Sequence, residues 1–252
     1  MNGGGNDIET SDFKLFLKSF RSRGPEVPSR RLTTINAYAF IVDINSFTVA
    51  VASSDSIIIA QNIRDTLAGG TAAVEHAGGE VIAFMGDAFL AILPDAQAVF
   101  NACVDTAHDL DRTCEWISGL QRHYEDAWRE MPGGPSIKIA CEYGWLNISS
   151  TTTRLLGEQP LVIGPAINYT ERILHDGSGN RCHLGPNAAE HFAALGYQLE
   201  GPFDTASGYR YSRFSMSETW REGELEPDDE TYWPRWTPKT GQSWTPENRP
   251  VR

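Results

Sequence analysis

No run of apolar residues in the chain reaches the ~18 that a membrane-crossing helix needs, so no transmembrane span is expected. The first residues, MNGGGNDIETSD, lack the basic-then-apolar order of a secretory signal. A cytoplasmic location is the default expectation. Cysteine is scarce: four residues, Cys103, Cys114, Cys141 and Cys182, none in CxxC spacing. The six histidines show no HExxH spacing. A zinc site is therefore not expected, and the thiols are read as reduced and mostly buried. Positive charge is short as well. A net charge of −12 disfavours a nucleic-acid polymer as partner, because such binding rests on clustered Lys and Arg. A small anionic ligand needs only a few local cations or helix N-termini and stays open. Hydrophobic residues make up 40% of the 252, enough for a packed core over most of the length, though not over every segment.

Two stretches stand out, FIVDINSFT (Phe40–Thr48) and GGEVIAFMGDAF, which ends at Phe89. Each is an apolar strand closing on one acid, Asp43 and Asp87. A carboxylate within an apolar run is costly to bury unless it is hydrogen-bonded, paired or metal-bound. Taken singly, each Asp also reads as a helix cap or turn residue. Taken together, they point to one shared cation site.

The order of elements frames that pair. Asp12–Arg23 reads as a short amphipathic helix on Phe13, Leu15, Phe16 and Phe20, and Gly24–Arg31, with Pro25 and Pro28, as a linker. Ile35–Asp43 reads as a buried strand and Asp55–His76 as a helix. Glu80–Phe84 and Ala88–Leu93 form a hairpin turning at Gly86-Asp87. Asp95 caps a long helix over Ala96–Trp128. Ser136–Ile148 reads as a strand, with Ile137, Ile139, Cys141 and Tyr143 alternating against Lys138, Ala140 and Glu142. A polar loop, Ser149–Arg154, leads into Leu155–Ile163. Gly164-Pro165 opens a helix that ends at Gly177. Cys182–Leu184 is a short strand, Pro186–Leu195 a short helix, and Tyr197–Gly201 with Gly208–Ser215 a last strand pair. The expected fold is α+β, a mostly antiparallel sheet with helices on one face, related to the ferredoxin-like plan. Three segments follow: residues 1–31 as helix and linker, 32–216 as the domain, and 217–252 as an acidic, then Trp/Pro-rich tail. Tryptophans are costly to leave wet, so the tail is expected to dock on a surface.

Four stretches in sequence resemble the class III nucleotidyl cyclase family. FIVDINSFT is similar to its first metal motif and GGEVIAFMGDAFLAIL to its second. IKIACEYGWLNI is similar to the core strand that follows, and LVIGPAINYTERIL to its catalytic helix. The likeness runs from about Ala37 to Leu174. It implies a lyase that cyclises a nucleoside triphosphate, the ribose 3′-hydroxyl attacking the α-phosphate as pyrophosphate leaves. It also implies two divalent cations, Mg²⁺ or Mn²⁺, held by Asp43 and Asp87 with the carbonyl of Ile44. Asn168 and Arg172 match the transition-state pair, and their i, i+4 spacing puts them on one helix face. Without the likeness, that face reads as a solvated surface. The family's sites form between subunits, so a homodimer is implied, with Asp43 and Asp87 from one protomer and Asn168 and Arg172 from the other.

The departures from the family pattern fall on the base pocket. Where purine cyclases carry polar base readers, this chain has Ala83 and Leu161, and neither side chain hydrogen-bonds a purine edge. Intact metal and transition-state residues beside an altered pocket resemble the pyrimidine cyclases of bacterial Pycsar anti-phage systems. Those make cyclic UMP or cyclic CMP, which acts on a separate effector protein in antiviral defence. UTP is the working choice over CTP, with no residue to separate them. Tyr38, Phe84 and Tyr169 are candidates for a bulkier pocket wall, ordinary core being the alternative. The family's phosphate lysine in the last hairpin is missing from Phe203–Gly208. Arg154, Arg210 or Arg213 is the expected substitute, Arg210 being assigned to the phosphates together with Arg172. Two other readings stay open: a purine cyclase with an unconventional pocket, and an inactive cyclase-like domain that senses nucleotide.

Overall fold

A computed structural model describes residues 33–44, 56–107, 137–153, 157–177, 179, 181–216, 220–221 and 237–238. The expected helix at Asp12–Arg23, the linker after it, residues 108–128 of the long helix, Cys114, Arg154, and Trp233, Trp236 and Trp244 of the tail lie outside them.

Strand β1 (Thr33–Ile44) is buried on both faces from Ala37 to Val42, which is why its sequence is a nearly unbroken apolar run. Helix α1 (Ser56–His76) follows, then β2 (Glu80–Met85) and β3 (Ala88–Leu93). Helix α2 (96–107) starts where expected, the Ala98 amide donating to Asp95 Oδ1 at 2.8 Å. Then come β4 (Ile137–Thr153), β5 (Gly157–Ile163), α3 (Pro165–His175), β6 (Arg181–Leu184), α4 (Pro186–Ala194), β7 (Glu200–Asp204) and β8 (Arg210–Ser215). A two-residue antiparallel pair, β9 (Trp220–Arg221) with β10 (Thr237–Pro238), is described in the tail.

Eight strands form one sheet in the order β2-β3-β1-β4-β6-β8-β7, with β5 pairing β4. All pairings are antiparallel except β4 with β6. The α+β class and the mostly antiparallel sheet agree with the sequence reading. Helices, however, cover both faces rather than one. Tyr38, Phe40, Val42 and Ile44 face a core closed by Ile63 and Leu67 of α1, Phe100 of α2 and Phe192 of α4. Ala39 and Ile41 point the other way, under Ala166, Ile173 and Leu174 of α3. Alternation along β1 fixes this division. It shows in the residue sizes, with rings on the face of three helices and small side chains beneath α3.

Two boundaries differ from expectation. The polar stretch at Ser149–Thr153 is strand, not loop, because β5 satisfies its backbone groups. With no apolar side to mark it, periodicity cannot find such a strand; its pairing with β5 holds it. The last hairpin begins at Glu200 rather than Tyr197. Tyr197 is instead a core residue, its ring 4.7 Å from that of Phe100 and 5.2 Å from that of Phe192.

Candidate functional site

Asp43 sits one residue before the end of β1, on the α3 face, opposite Ala88 of β3 and Lys138 of β4. Asp87 lies in the turn between β2 and β3. That turn needs the positive φ of Gly86, +71°, a conformation costly for a side-chain-bearing residue. The Ile44 amide donates to the Asp87 carbonyl at 3.3 Å, tying the hairpin tip to the end of β1. The two acids expected to share a site are thus brought together by the β1–β3 register.

Burial first, and the charge of Asp43 next, push the Asp87 carboxyl above its ordinary range, with Lys138 working in the opposite direction. Lys138 Nζ stands 2.9 Å from Asp43 Oδ2, the two side chains being 15% and 22% exposed. Lys138 does not stand out in the sequence. In the alternation of its strand it reads as a polar position set against Ile137 and Ile139, and only the register of β4 on β1 says what it faces. Among the described residues, no cluster of three or more His, Cys, Asp or Glu forms a metal cage. The donors at this place are two carboxylates and the nearby main chain. Cys103, Cys141 and Cys182 are free and buried, and burial holds each thiol protonated.

Asn168 and Arg172 lie on the exposed side of α3. The helix buries Ala166, Thr170, Ile173 and Leu174 instead, and Thr170 Oγ1 reaches the carbonyls of Ala39 and Ala166 at 3.3 and 2.8 Å. The pair shares a face, as its spacing requires, but that face looks into solvent rather than down onto the strands bearing Asp43.

The expected base-pocket residues separate. Ala83 of β2 is half-buried opposite Leu90, and Leu161 of β5 is exposed opposite Ser149. Tyr38 is 1% exposed and lies on the opposite sheet face from Asp43. Its hydroxyl is hydrogen-bonded to His191 Nδ1 at 2.6 Å and its ring packs on Tyr143. Tyr38 is core because β1 alternation turns it away. Phe84 is exposed, and with Met85, Trp145, Leu161 and Ile163 it belongs to the large apolar side chains left facing solvent. Tyr169 locks α3 to β8, its hydroxyl donating to the Arg210 carbonyl at 2.9 Å and accepting from the Arg210 amide at 3.0 Å. The Arg210 side chain pairs with Asp204 at 3.2 Å and stays mostly exposed. Arg213 pairs with Glu200 at 2.8 Å and stacks on Phe203.

Glu142 also went unmarked in the sequence. It is 3% exposed, one position beyond Cys141 on β4. Its Oε1 accepts the amides of Tyr143 and Asn187, at 3.0 and 3.1 Å, the latter at the start of α4. Its Oε2 makes no hydrogen bond among the described residues and lies so close to Gly185 that a Cβ there would collide with it. Burial pushes its carboxyl up to about 7.

No protein-family profile matches the chain, and no curated protein matches it in sequence. Solved structures do match in shape. The adenylyl cyclase CyaB from P. aeruginosa superposes with a TM-score of 0.55 at 11% identity, over 73% of this chain and 95% of that one. The guanylyl cyclase Cya2 gives 0.59 at 14%, over 73% and 92%. A dimeric guanylyl cyclase domain from the fungus Blastocladiella emersonii gives 0.54 at 16%, over 73% and 97%. The fold is that of a nucleotide cyclase catalytic domain. Identities this low establish the fold alone.

Proposed function

We propose that this protein is a nucleotide cyclase that converts UTP, or CTP, to the 3′,5′-cyclic monophosphate and pyrophosphate. The observation that carries the reading is the meeting of Asp43 and Asp87 at adjacent strand ends in a cyclase fold. Two half-buried carboxylates beside a main-chain carbonyl form a hard, all-oxygen donor set. That set suits Mg²⁺ or Mn²⁺, which take one or two carboxylates and complete their shell with water and substrate phosphate. The raised carboxyl of Asp87 fits it too, since a second negative charge nearby calls for a cation. Asp43, Asp87 and the Ile44 carbonyl would hold the ions, which supply charge neutralisation and a more acidic 3′-hydroxyl.

The protein's own residues then orient and stabilise. Asn168 and Arg172 act as fixed donors for the charge developing on the α-phosphoryl oxygens. Their outward placement on α3 supports a site completed by a second copy. So do the exposed apolar side chains of Phe84, Trp145, Leu161 and Ile163, since unpartnered apolar surface marks an interaction face. Arg210 lies among charged groups of β7 and β8 and remains the proposed phosphate contact with Arg172. The pyrimidine assignment rests on Ala83 and Leu161, which offer no hydrogen bond to a purine edge; Tyr38 drops out of the pocket wall because it is buried on the other face. An antiviral messenger acting on a separate effector follows from the pyrimidine reading. A purine cyclase is the second reading, favoured by neighbours that are adenylyl and guanylyl cyclases.

Incubation with each of the four NTPs and Mn²⁺, with products identified by mass, tests the assignment. Cyclic UMP or CMP as the main product is expected. Cyclic AMP or GMP in its place overturns the pyrimidine reading, and no product from any NTP overturns cyclase activity.

A further inference from the structure

Lys138 is the only lysine between positions 19 and 238 of the chain, and it sits directly across from Asp43 on β4. Its ammonium is largely sheltered and stands 2.9 Å from Asp43 Oδ2. A sheltered ammonium is costly unless paired, and its neighbours along β4, Ile137 and Ile139, turn to the opposite core. Next on its own face is the apolar Ala140. The acids are what the lysine answers to.

We propose that Lys138 is a built-in counter-ion of the cation site, competing with a divalent ion for Asp43 and so lowering the metal affinity of the nucleotide-free protein. The proposal rests on the cyclase reading and deepens it. A carboxylate oxygen engaged by an ammonium is a poorer ligand, because the ion pair must be broken or shared before the metal is bound. A +1 charge close to the site also repels a +2 ion directly. The compact ammonium on its four-carbon stem swings aside more readily than a guanidinium fork. A triphosphate brings negative oxygens that give the released ammonium new partners. Metal binding is therefore weak alone and strengthened by nucleotide, so the two bind as a pair. Lys138 acts here as a positioning and affinity-setting residue.

The test is Mn²⁺ binding without nucleotide, read as loss of the free-ion signal in electron paramagnetic resonance. Wild type is compared with Lys138→Met, Lys138→Gln, Lys138→Arg and Asp43→Asn, each checked for folding by circular dichroism. Lys138→Met and Lys138→Gln are expected to bind Mn²⁺ about three- to tenfold more tightly than wild type, the size of one partly screened ion pair. Lys138→Arg should stay within about twofold of wild type, and Asp43→Asn should lose binding. If the Met variant fails to fold, the Gln variant, which keeps a donor towards Asp43 without the charge, decides. Equal or weaker binding by the neutral variants, with binding still lost in Asp43→Asn, overturns the role of Lys138 and leaves the cation site standing. Absence of Mn²⁺ binding in every protein, with UTP added as well as without it, overturns the cation site and the cyclase reading together.

Discussion

Replacing Glu142 by Gln should remove a pH dependence of stability that this one carboxyl builds into the fold. Its ordinary value is 4.5 and burial pushes it up to about 7. Between those values the folded protein keeps a proton that the unfolded chain has released. The group's stabilisation is thus complete below pH 4.5 and is lost as pH rises through about 7. At about 1.4 kcal/mol per pH unit, the whole interval is worth at most about 3–4 kcal/mol. Gln keeps the oxygen that accepts the Tyr143 and Asn187 amides but does not ionise. His183 complicates the raw profile. It is buried, hydrogen-bonded to the Ile139 carbonyl at 3.0 Å, and burial lowers it from 6.5 to about 4. The folded state then holds fewer protons than the unfolded chain, so its stabilisation is lost as pH falls through that window, opposing Glu142. The difference between variant and wild type cancels the histidine. Urea unfolding at pH 5 and pH 8 should find Glu142→Gln gaining about 2–3 kcal/mol on wild type between the two. An equal difference at both pH values would refute the reasoning.

Other perturbations have equally definite outcomes. Asp43→Ala and Asp87→Ala should each abolish turnover, a loss of at least ~10³-fold, with the circular dichroism of a folded protein in both and a lower melting temperature in Asp43→Ala, which strands the sheltered Lys138 ammonium; retained activity in either refutes the cation assignment. Arg172→Ala and Asp87→Ala, each inactive, should recover activity on mixing, because one of the two sites in a mixed dimer is intact; a mixture as inactive as its parts refutes shared sites. Ile163→Asp should shift the protein towards monomer in sedimentation velocity and lower activity in step, since the exposed β5 side chain would lie in the dimer contact. Ile173→Ala, on the inner face of α3 and fully buried, should cost about 2–5 kcal/mol in urea unfolding and misplace Asn168 and Arg172 on the same helix.

Local pattern determined much of this protein. The apolar run of β1 and the hairpin turn at Gly86-Asp87 were legible because strands and turns declare themselves over a few residues. So were the Asp95 cap and the helix after Gly164-Pro165. Asp43 and Asp87 stood out as carboxylates within apolar runs, and Asn168 and Arg172 as one helix face. What tertiary structure alone decided depends on register and on which face looks inward. Lys138 belongs to Asp43 only because β4 lies on β1 with that offset; a one-residue slip would send the lysine into the core of Phe40 and Phe100 and turn Ile139 out of it. Tyr38 faces His191 rather than the candidate site for the same reason. Ser149–Thr153 is strand because β5 lies alongside. Glu142 is buried because the start of α4 closes over it, with Gly185 making room. A sequence states what each residue prefers, and the paired backbone settles what each preference meets.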